Sequence, residues 1–255
     1  MIEPFISIIT PLYNAEGFIE RNIKSVQGQT YENWEHIIVN DCSTDKGAEI
    51  VKRWKENDPR IHFIENRENL GPAVTRNTAI KAAKGRFIAF LDSDDQWCPK
   101  KLEVQLKFMQ EKNIPFSFTY YDQVDEKGKK VGTFKNIPDK VNYSSTLRNN
   151  KIGCLTVMYD TAYFGKAYMP LIKRRQDYAL WLSLLRKVDY AYCLPEVLAT
   201  YTLRTNSISS NKLKLIKYNW IVYRKIEGHS FIKSVFYLCS IIFNKLSRKT
   251  EVNDM

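Results

Sequence analysis

The sequence predicts an α/β fold with a largely parallel sheet covered by helices, and three observations predict it. Short apolar segments rich in Ile, Val and Phe alternate with amphipathic segments of helix length in the first half of the chain, which indicates strands joined by helical crossovers. Polar residues follow these apolar segments. Beyond Lys112 the alternation stops, and the turn Lys127-Gly128-Lys129 predicts a hairpin that extends the sheet with antiparallel strands.

Four strands are expected in the first half of the chain, at residues 6–9, 37–39, 61–64 and 87–91. Asn14 is expected to cap the first helix, because the apolar positions Ile19, Ile23 and Val26 follow it at helical spacing. Ligands of parallel sheets bind at the carboxyl ends of the strands. We therefore expect a site at the edge where three such ends meet, residues 11–13, 41–43 and 92–95.

The second half is predicted to contain a short helix, a strand, a longer helix and a final extended segment, at residues 144–150, 154–159, 176–185 and 191–203. Asp177 lies in the first turn of the longer helix. Pro195 cannot donate a ladder hydrogen bond, which favours an edge position for the last strand.

An acidic turn ends the apolar strand at residues 87–91. Asp92, Asp94 and Asp95 lie within four positions of one another, and their mutual repulsion is costly unless a cation neutralises it. Hard carboxylate oxygens suit Mg²⁺ or Mn²⁺, which often complete their coordination with substrate phosphates. The alternative is an acidic turn before the next helix, with Pro99 at the first helical position.

Composition narrows the class of protein. A hydrophobic content of 44% is sufficient for the core of a globular domain. The five cysteines form no CxxC pair and the three histidines are far apart, which argues against zinc and a disulfide framework and favours a reducing compartment. The sequence shows neither a signal peptide nor an apolar run that approaches the ~20 residues of a membrane span. We expect a cytoplasmic protein.

Positive charge is concentrated in the last part of the chain. Between Asn211 and Lys249 there are nine basic residues and one acidic residue, Glu227, so this segment carries +8 of the net charge of +11. A basic amphipathic helix with aromatic residues is typical of an interfacial membrane anchor. The alternative is a helix pair packed on the main domain with a basic outer face. We expect a main domain at residues 1–210 and a helical tail at 211–255, with 211–249 at the membrane surface.

Six motifs follow one another along the chain: Ser7–Asn14, Gln27–Tyr31, Val39–Asp45, Asn69–Gly71 with Arg76–Asn77, Phe90–Asp95, and Gln176–Trp181. Together they resemble the ordered signature of family 2 glycosyltransferases with the GT-A fold, over residues 5–208. The resemblance implies a GT-A catalytic domain with a Rossmann-like mixed sheet. It also implies an inverting enzyme of the kind that builds bacterial cell-surface polysaccharides such as capsule, lipopolysaccharide or teichuronic acid.

The same resemblance implies the substrates and the cofactor. The donor would be a nucleoside-diphosphate sugar, with a UDP-sugar favoured, and the acceptor would be a glycan or a lipid-linked glycan. The cofactor would be Mn²⁺ or Mg²⁺. Because such acceptors lie in membranes, we expect the protein to be peripheral on the inner face of the cell membrane.

Donor-site roles are also implied by the resemblance. Pro11, Tyr13 and Asp41 would form the floor for the nucleotide base, with Asp41 accepting its imide N–H. Without the resemblance, Asp41 would be interpreted as a charge that complements a helix N-terminus. Arg76 would lie near the nucleotide or the diphosphate, whereas a lone helical arginine is more often a surface residue. Arg204 would pair with phosphate, or else be a solvated loop residue.

The acidic turn matches the DxD element of the family. One acid would contact the ribose and another would bind the metal that bridges the two phosphates. Asp92 belongs to the donor site. Asp94 and Asp95 both remain candidates for the direct metal ligand, because the motif can be aligned as Asp92-x-Asp94 or as the Asp94-Asp95 pair.

Asp177 takes the place of the inverting base. An inverting transfer needs a carboxylate beside the acceptor hydroxyl, opposite the departing nucleoside diphosphate. The family often has Glu-Asp here, whereas this chain has Gln176 before Asp177, which lowers the local negative charge. Trp181, one helical turn on, either packs in the core or forms part of the acceptor wall.

Other function classes fit the sequence less well. A nicotinamide-dependent oxidoreductase would need a G-x-G-x-x-G after the first strand, which is absent. A sugar nucleotidyltransferase would need a Gly-rich, basic first loop. The pI of about 9.3 suggests a nucleic-acid-binding module, but the basic residues lie on apolar helices and no binding motif is present, so we expect no nucleic acid partner. The intact set of acids argues against a catalytically inactive scaffold.

Overall fold

The protein is described by a computed structural model that covers residues 5–204 and 212–252. In these ranges the strands form one sheet. They are β1 (Ile6–Leu12), β2 (Trp34–Asn40), β3 (Ile61–Glu65), β4 (Phe87–Phe90), β5 (Gln96–Trp97), β6 (Phe116–Val124), β7 (Lys130–Phe134), β8 (Lys140–Val141), β9 (Met158–Asp160) and β10 (Ala191–Thr202).

The order of strands in the sheet is β3-β2-β1-β4-β9-β6-β10-β5, with β7 paired to β6 and β8 to β10. Strands β1 to β4 run parallel, as predicted. β9 is antiparallel to both β4 and β6, and β6 forms the expected antiparallel hairpin with β7. β10 returns parallel to β6, so the second half extends the sheet in both senses.

The helices lie on the two faces of this sheet and form the tail. They are α1 (Ile19–Gln27), α2 (Gly47–Asn57), α3 (Pro72–Ala82), α4 (Lys101–Glu111), α5 (Tyr143–Arg148), α6 (Thr161–Phe164), α7 (Gln176–Leu185), α8 (Lys212–Ile221) and α9 (Phe231–Val252).

Side chains that alternate along the central strands separate the core into two faces. Ile9 and Ile37 pack with Ala79 of α3 and with Trp181 of α7. On the other face, α1, α2 and α4 pack on the sheet, as the contact of Ile38 with α1 and α2 shows. This sandwich places α3 and α7, which carry predicted site residues, on the same face.

Two details of the predicted elements are wrong. Asn14 does not cap α1: its backbone is left-handed (φ 46°), and its side-chain Oδ1 accepts a hydrogen bond from the Thr44 N–H at 2.8 Å. Residues 154–156 form a 3₁₀ turn before β9. Pro195 agrees with the predicted edge position, because β8 pairs with β10 only before this residue and β5 only after it, within the described part of the chain. The ladder with β6 also shifts register between Leu194 and Val197, and such a bulge tolerates the missing donor.

The inner face of the tail packs on the main domain. α8 continues through a π-helical turn at residues 222–226, whose Val222 and Tyr223 are buried against Tyr178 and Leu182 of α7. The Tyr223 hydroxyl donates a hydrogen bond to the Leu147 carbonyl at 2.8 Å. The alternative prediction, a helix pair packed on the main domain, is therefore correct for the inner face of the tail.

The outer face of α9 is apolar and exposed. Phe231, Ile232, Phe236 and Phe243 are exposed by 63%, 80%, 56% and 71%, while Ser234, on the opposite side of the helix, is fully buried. None of the helices, within the described residues, is long and apolar enough to cross a membrane.

Candidate active site

The carboxyl ends of β1, β2 and β4 meet at one edge of the sheet, as the parallel order requires. The Asp41 N–H donates to the Leu12 carbonyl at 2.9 Å, and the Asn14 N–H donates to the Ser43 hydroxyl at 3.1 Å. These bonds join the loops that follow β1 and β2. The three loop segments predicted to form a site are therefore brought together.

Asp41 organises the entrance to α3. Its carboxylate is buried and accepts hydrogen bonds from the Leu70 N–H (2.9 Å), the Gly71 N–H (2.8 Å) and the Asn66 amide (2.9 Å). Because an ionised carboxylate has about four acceptor positions, one further donor could still be accommodated. Tyr13, half exposed, lies two residues beyond Pro11 at the end of β1.

Asn22 of α1 fixes the acidic turn. Its side-chain amide donates to the carbonyl of Asp92 at 2.8 Å and to that of Asp95 at 3.0 Å, and the Asp95 N–H closes the turn on the Asp92 carbonyl at 2.9 Å. The sequence prediction missed this residue. The signal for it was a polar side chain on the apolar stripe of α1, where it is fully buried.

Arg76 joins α3 to the acidic turn. It is 6% exposed and forms an ion pair with the Asp92 carboxylate. Burial by itself lowers the pKa of Arg76, but the charges of Asp92 and Asp177 raise it, so the pKa lies above its usual value and the cation is secured. Its Nε and Nη1 have no hydrogen-bond partner among the described residues. The alternative prediction, that Arg76 is a surface residue, is therefore wrong.

Asp94 and Asp95 carry more negative charge than their surroundings balance. Burial and the neighbouring carboxylates raise the pKa of both acids. The Asp95 carboxylate accepts from the Thr202 N–H at 2.9 Å, and Asp94 pairs with Arg204 at 3.5 Å. Arg204 is thus held at the site instead of being a solvated loop residue. The family resemblance also implies that residues 201–209 close over the donor diphosphate; of these, residues 205–209 lie outside the described residues.

Phe18 and Arg21 are two further residues that the sequence prediction missed. Two guanidinium groups lie over the Phe18 ring, that of Arg21 at 4.6 Å and that of Arg204 at 4.8 Å from its centroid. Arg21 also donates to the Thr202 hydroxyl at 3.4 Å. This stack holds the end of β10 against α1, beside the acidic turn.

Asp177 reaches the same site from α7. The charges of both Asp92 and Asp177 raise the pKa of Arg76 and the pKa of the buried Cys154 thiol, so the two carboxylates act on the same side chains. Gln176 is buried, and its Oε1 has no partner in the described part of the chain. Trp181 is fully buried and packs edge-on against Phe90, with 5.5 Å between ring centroids, so it is a core residue and not an acceptor wall.

The residues of the acidic turn fit a divalent cation shared with a ligand. Within the described ranges, no group of three or more His, Cys, Asp or Glu side chains is arranged as a metal site. Mg²⁺ and Mn²⁺ often take only one or two protein carboxylates and complete their shell with phosphate and water. The side chains of Asp92 and Asp94 are 28% and 25% exposed and suit this use, whereas Asp95 is buried.

Comparison with known proteins decides the family. Residues 7–167 match the family described as Glycosyl transferase family 2. This chain belongs to that family. The teichuronic acid biosynthesis glycosyltransferase TuaG of Bacillus subtilis (strain 168) is 46% identical to this chain. The alignment covers 97% of this chain and 98% of TuaG. The Escherichia coli UDP-Glc:alpha-D-GlcNAc-diphosphoundecaprenol beta-1,3-glucosyltransferase WfgD is 39% identical over 95% of this chain and 94% of its own length.

Solved structures show that this family 2 glycosyltransferase has the GT-A fold. Residues 1–349 of S. aureus TarS in complex with UDP-GlcNAc align with a TM-score of 0.72 at 21% identity, over 93% of this chain and 71% of that chain. The mannosyltransferase PcManGT from Pyrobaculum calidifontis, in complex with GDP-Man and Mn²⁺, aligns with a TM-score of 0.71 at 17% identity, over 93% and 70%. The predicted fold and enzyme class are confirmed.

Proposed function

We propose that this glycosyltransferase is a metal-dependent inverting enzyme that moves a sugar from a UDP-sugar to a diphosphopolyprenol-linked glycan in cell-surface polysaccharide synthesis. Residues 1–210 would form the catalytic domain and 211–255 a tail on the inner face of the membrane. The observation that carries the proposal is the ion pair that buried Arg76 forms with Asp92 of the acidic turn, beside which the charge of Asp177 also raises the pKa of Arg76. The name of WfgD supports the UDP-sugar donor and the acceptor class, and the name of TuaG supports a role in polysaccharide synthesis.

In this proposal the nucleotide lies across the ends of β1 and β2. Pro11, Tyr13 and Asp41 receive the base, with Asp41 using its remaining acceptor position for the imide N–H. Asp92 accepts hydrogen bonds from the ribose. Two guanidinium nitrogens of Arg76 have no partner among the residues that the structure describes, and they suit a phosphate oxygen.

The diphosphate would lie against the acidic turn. Asp94 is the proposed direct ligand of Mn²⁺ or Mg²⁺, because it is partly exposed while Asp95 is buried and bonded to Thr202. A bound cation would offset the charge of the diphosphate leaving group. Arg204, freed from Asp94, would pair with phosphate.

Asp177 is the proposed general base. It removes the proton of the acceptor hydroxyl as that oxygen bonds to the anomeric carbon of the donor. The bond from that carbon to the diphosphate breaks on the opposite face, so UDP leaves and the configuration inverts. The proton remains on the Asp177 carboxyl until solvent removes it.

The outer face of α9 would lie on the membrane surface. Its exposed apolar side chains suit the interfacial region of a bilayer, and Lys233 and Arg148 lie beside them; the Arg148 guanidinium is 6.0 Å from the Phe236 ring centroid. Anionic lipid would attract these cations. Since the inner face of the tail packs on α7, this contact holds Asp177 near the membrane that carries the acceptor.

The test separates donor binding from transfer. Wild type should show a rise in melting temperature with UDP that requires Mn²⁺, and Asp94→Ala, which removes the proposed metal ligand, should weaken that rise. Asp177→Asn should keep the rise but lose transfer by a factor of about 10³, within the range for a general base. Lys107→Gln, an exposed change on α4, is the control. Near-normal transfer by Asp177→Asn would contradict the assignment of the base.

A further inference from the structure

Three consecutive cations, Lys173, Arg174 and Arg175, lie immediately before the helix that begins with Gln176 and Asp177. They follow Ile172, which packs with the buried cluster between α7 and the tail. The five residue-to-residue steps from Ile172 to Asp177 span at most about 18 Å. The basic triplet therefore lies between the tail and the proposed base.

The two arginines of this triplet have unused hydrogen-bonding capacity. Neither forms an ion pair among the described residues. Nη1 of Arg174 and Nε of Arg175 are also buried without an acceptor there. Buried guanidinium nitrogens normally find an acceptor. Arg175 also has a left-handed backbone (φ 65°), which is costly for a residue with a side chain.

The triplet lies on the side of Asp177 that faces the tail. The Arg175 guanidinium is 6.0 Å from the ring centroid of Tyr178, and the Tyr178 hydroxyl bonds to that of Tyr223 in the tail at 3.3 Å. The donor cations, Arg76 and Arg204, pair instead with Asp92 and Asp94. The two groups of cations thus serve different parts of the cleft.

We infer that Arg174 and Arg175, with Lys173 beside them, bind the diphosphate of the lipid-linked acceptor. This inference rests on the proposed function. When the acceptor carries a single sugar, the phosphate is bonded to the sugar with the reacting hydroxyl, so it lies one sugar ring from the base. The lipid then continues toward the apolar outer face of α9. A planar guanidinium group can donate two parallel hydrogen bonds to phosphate oxygens. The neighbouring Gln176 is neutral and adds no negative charge that would repel the phosphate.

The experiment compares two acceptor probes that differ only in phosphate. One is N-acetylglucosaminyl diphosphate on a short prenyl chain, and the other is the prenyl glycoside of the same sugar. Affinity is measured by calorimetry with the full chain, with UDP and Mn²⁺ present so that the donor site is filled. Wild type should bind the diphosphate probe about 100-fold more tightly, from two charge-assisted contacts.

In Arg174→Gln/Arg175→Gln the ratio of the two affinities should fall to near one. Lys166→Gln is the control, because it removes a charge from the same loop. The Lys166 Nζ donates to the Lys81 carbonyl at the far end of α3, so this variant should keep the wild-type ratio. The single variants replace the double one if it does not fold. A ratio near one in wild type, or an unchanged ratio in the arginine variants, overturns the inference. A missing UDP shift in wild type would instead count against the proposed donor.

Discussion

At the scale of single residues, burial and the neighbouring groups decide which charge Arg76 and His36 carry. Arg76 stays a cation inside the protein because Asp92 lies beside it. His36 in strand β2 is neutral. The Thr10 hydroxyl has one proton and donates it to the Leu91 carbonyl at 2.7 Å. This hydroxyl therefore accepts a hydrogen bond from Nε2 of His36 at 2.8 Å. Burial lowers the pKa of His36 to about 3.

His36 should make the protein less stable as the solution becomes more acidic. The unfolded chain protonates this side chain below about pH 6.5, whereas the folded protein resists until a pH of about 3. The unfolded state therefore binds more protons in this window, and the free energy of unfolding falls by about 1.4 kcal/mol for each pH unit lost.

Urea unfolding of wild type and His36→Gln between pH 7 and pH 5 measures this effect. The variant should be less stable at pH 7, because its packing is altered. The difference between the two proteins should shrink as the pH falls. A difference that stays constant over this range would contradict a neutral, buried His36.

At the scale of elements, α9 has two apolar faces with different uses. Ser234 and Ile241 are buried on the inner face, where Tyr237 and Leu238 join the cluster that includes α7. Phe236 on the outer face is exposed by 56%. An exposed apolar patch of this kind on a soluble domain marks an interaction surface, and its basic surroundings favour an anionic bilayer as the partner.

The outer face of α9 should govern membrane binding without affecting stability. Phe236→Glu/Phe243→Glu removes two exposed apolar side chains, each worth roughly 1.5–3 kcal/mol when transferred out of water. Partitioning onto vesicles with anionic lipid should fall by a factor of at least about 100 in a sedimentation assay.

The melting temperature should change little, because both positions are exposed. Val131→Glu, at an exposed position of β7 (54%), is the control and should bind like wild type. Equal partitioning of wild type and the double variant would rule out this face as the membrane contact.

At the scale of the whole molecule, the tail and the catalytic domain share a core. Val222 and Tyr223 of the tail are fully buried, together with Tyr178 of α7 and Leu147 of α5. Glu227 adds an ion pair to Arg186 at 3.2 Å. The tail is therefore part of the folded unit, although its sequence matches no catalytic motif.

Deleting residues 211–255 should destabilise the protein as well as release it from membranes. Removing a large buried side chain such as Tyr223 costs about 3–5 kcal/mol, and the deletion would also expose the α7 side chains beneath it. We expect the melting temperature to drop by about 10 °C or more, with faster proteolysis near α7. A truncated protein with the melting temperature of wild type would show that the shared core contributes little.

The sequence by itself determined the alternation of strands and helices, the parallel half of the sheet, and the position of the acidic turn. These follow from local periodicity. Asp92 and Asp94 could be selected because several carboxylates directly after a buried strand are unusual, whereas Asp177 was selected through the family resemblance. The amphipathic tail was also visible, although its spacing could not show which face packs and which is exposed.

Only the tertiary structure decided which residues meet. Asn22 reaches the acidic turn from α1, Phe18 holds Arg204, and Arg76 pairs with Asp92; these contacts depend on the order of strands in the sheet, which local patterns do not encode. The same holds for Pro195, whose place beside a bulge depends on what pairs with β10. Periodicity reports whether a side chain faces inward, whereas its partner is set by packing between segments that are distant in the chain.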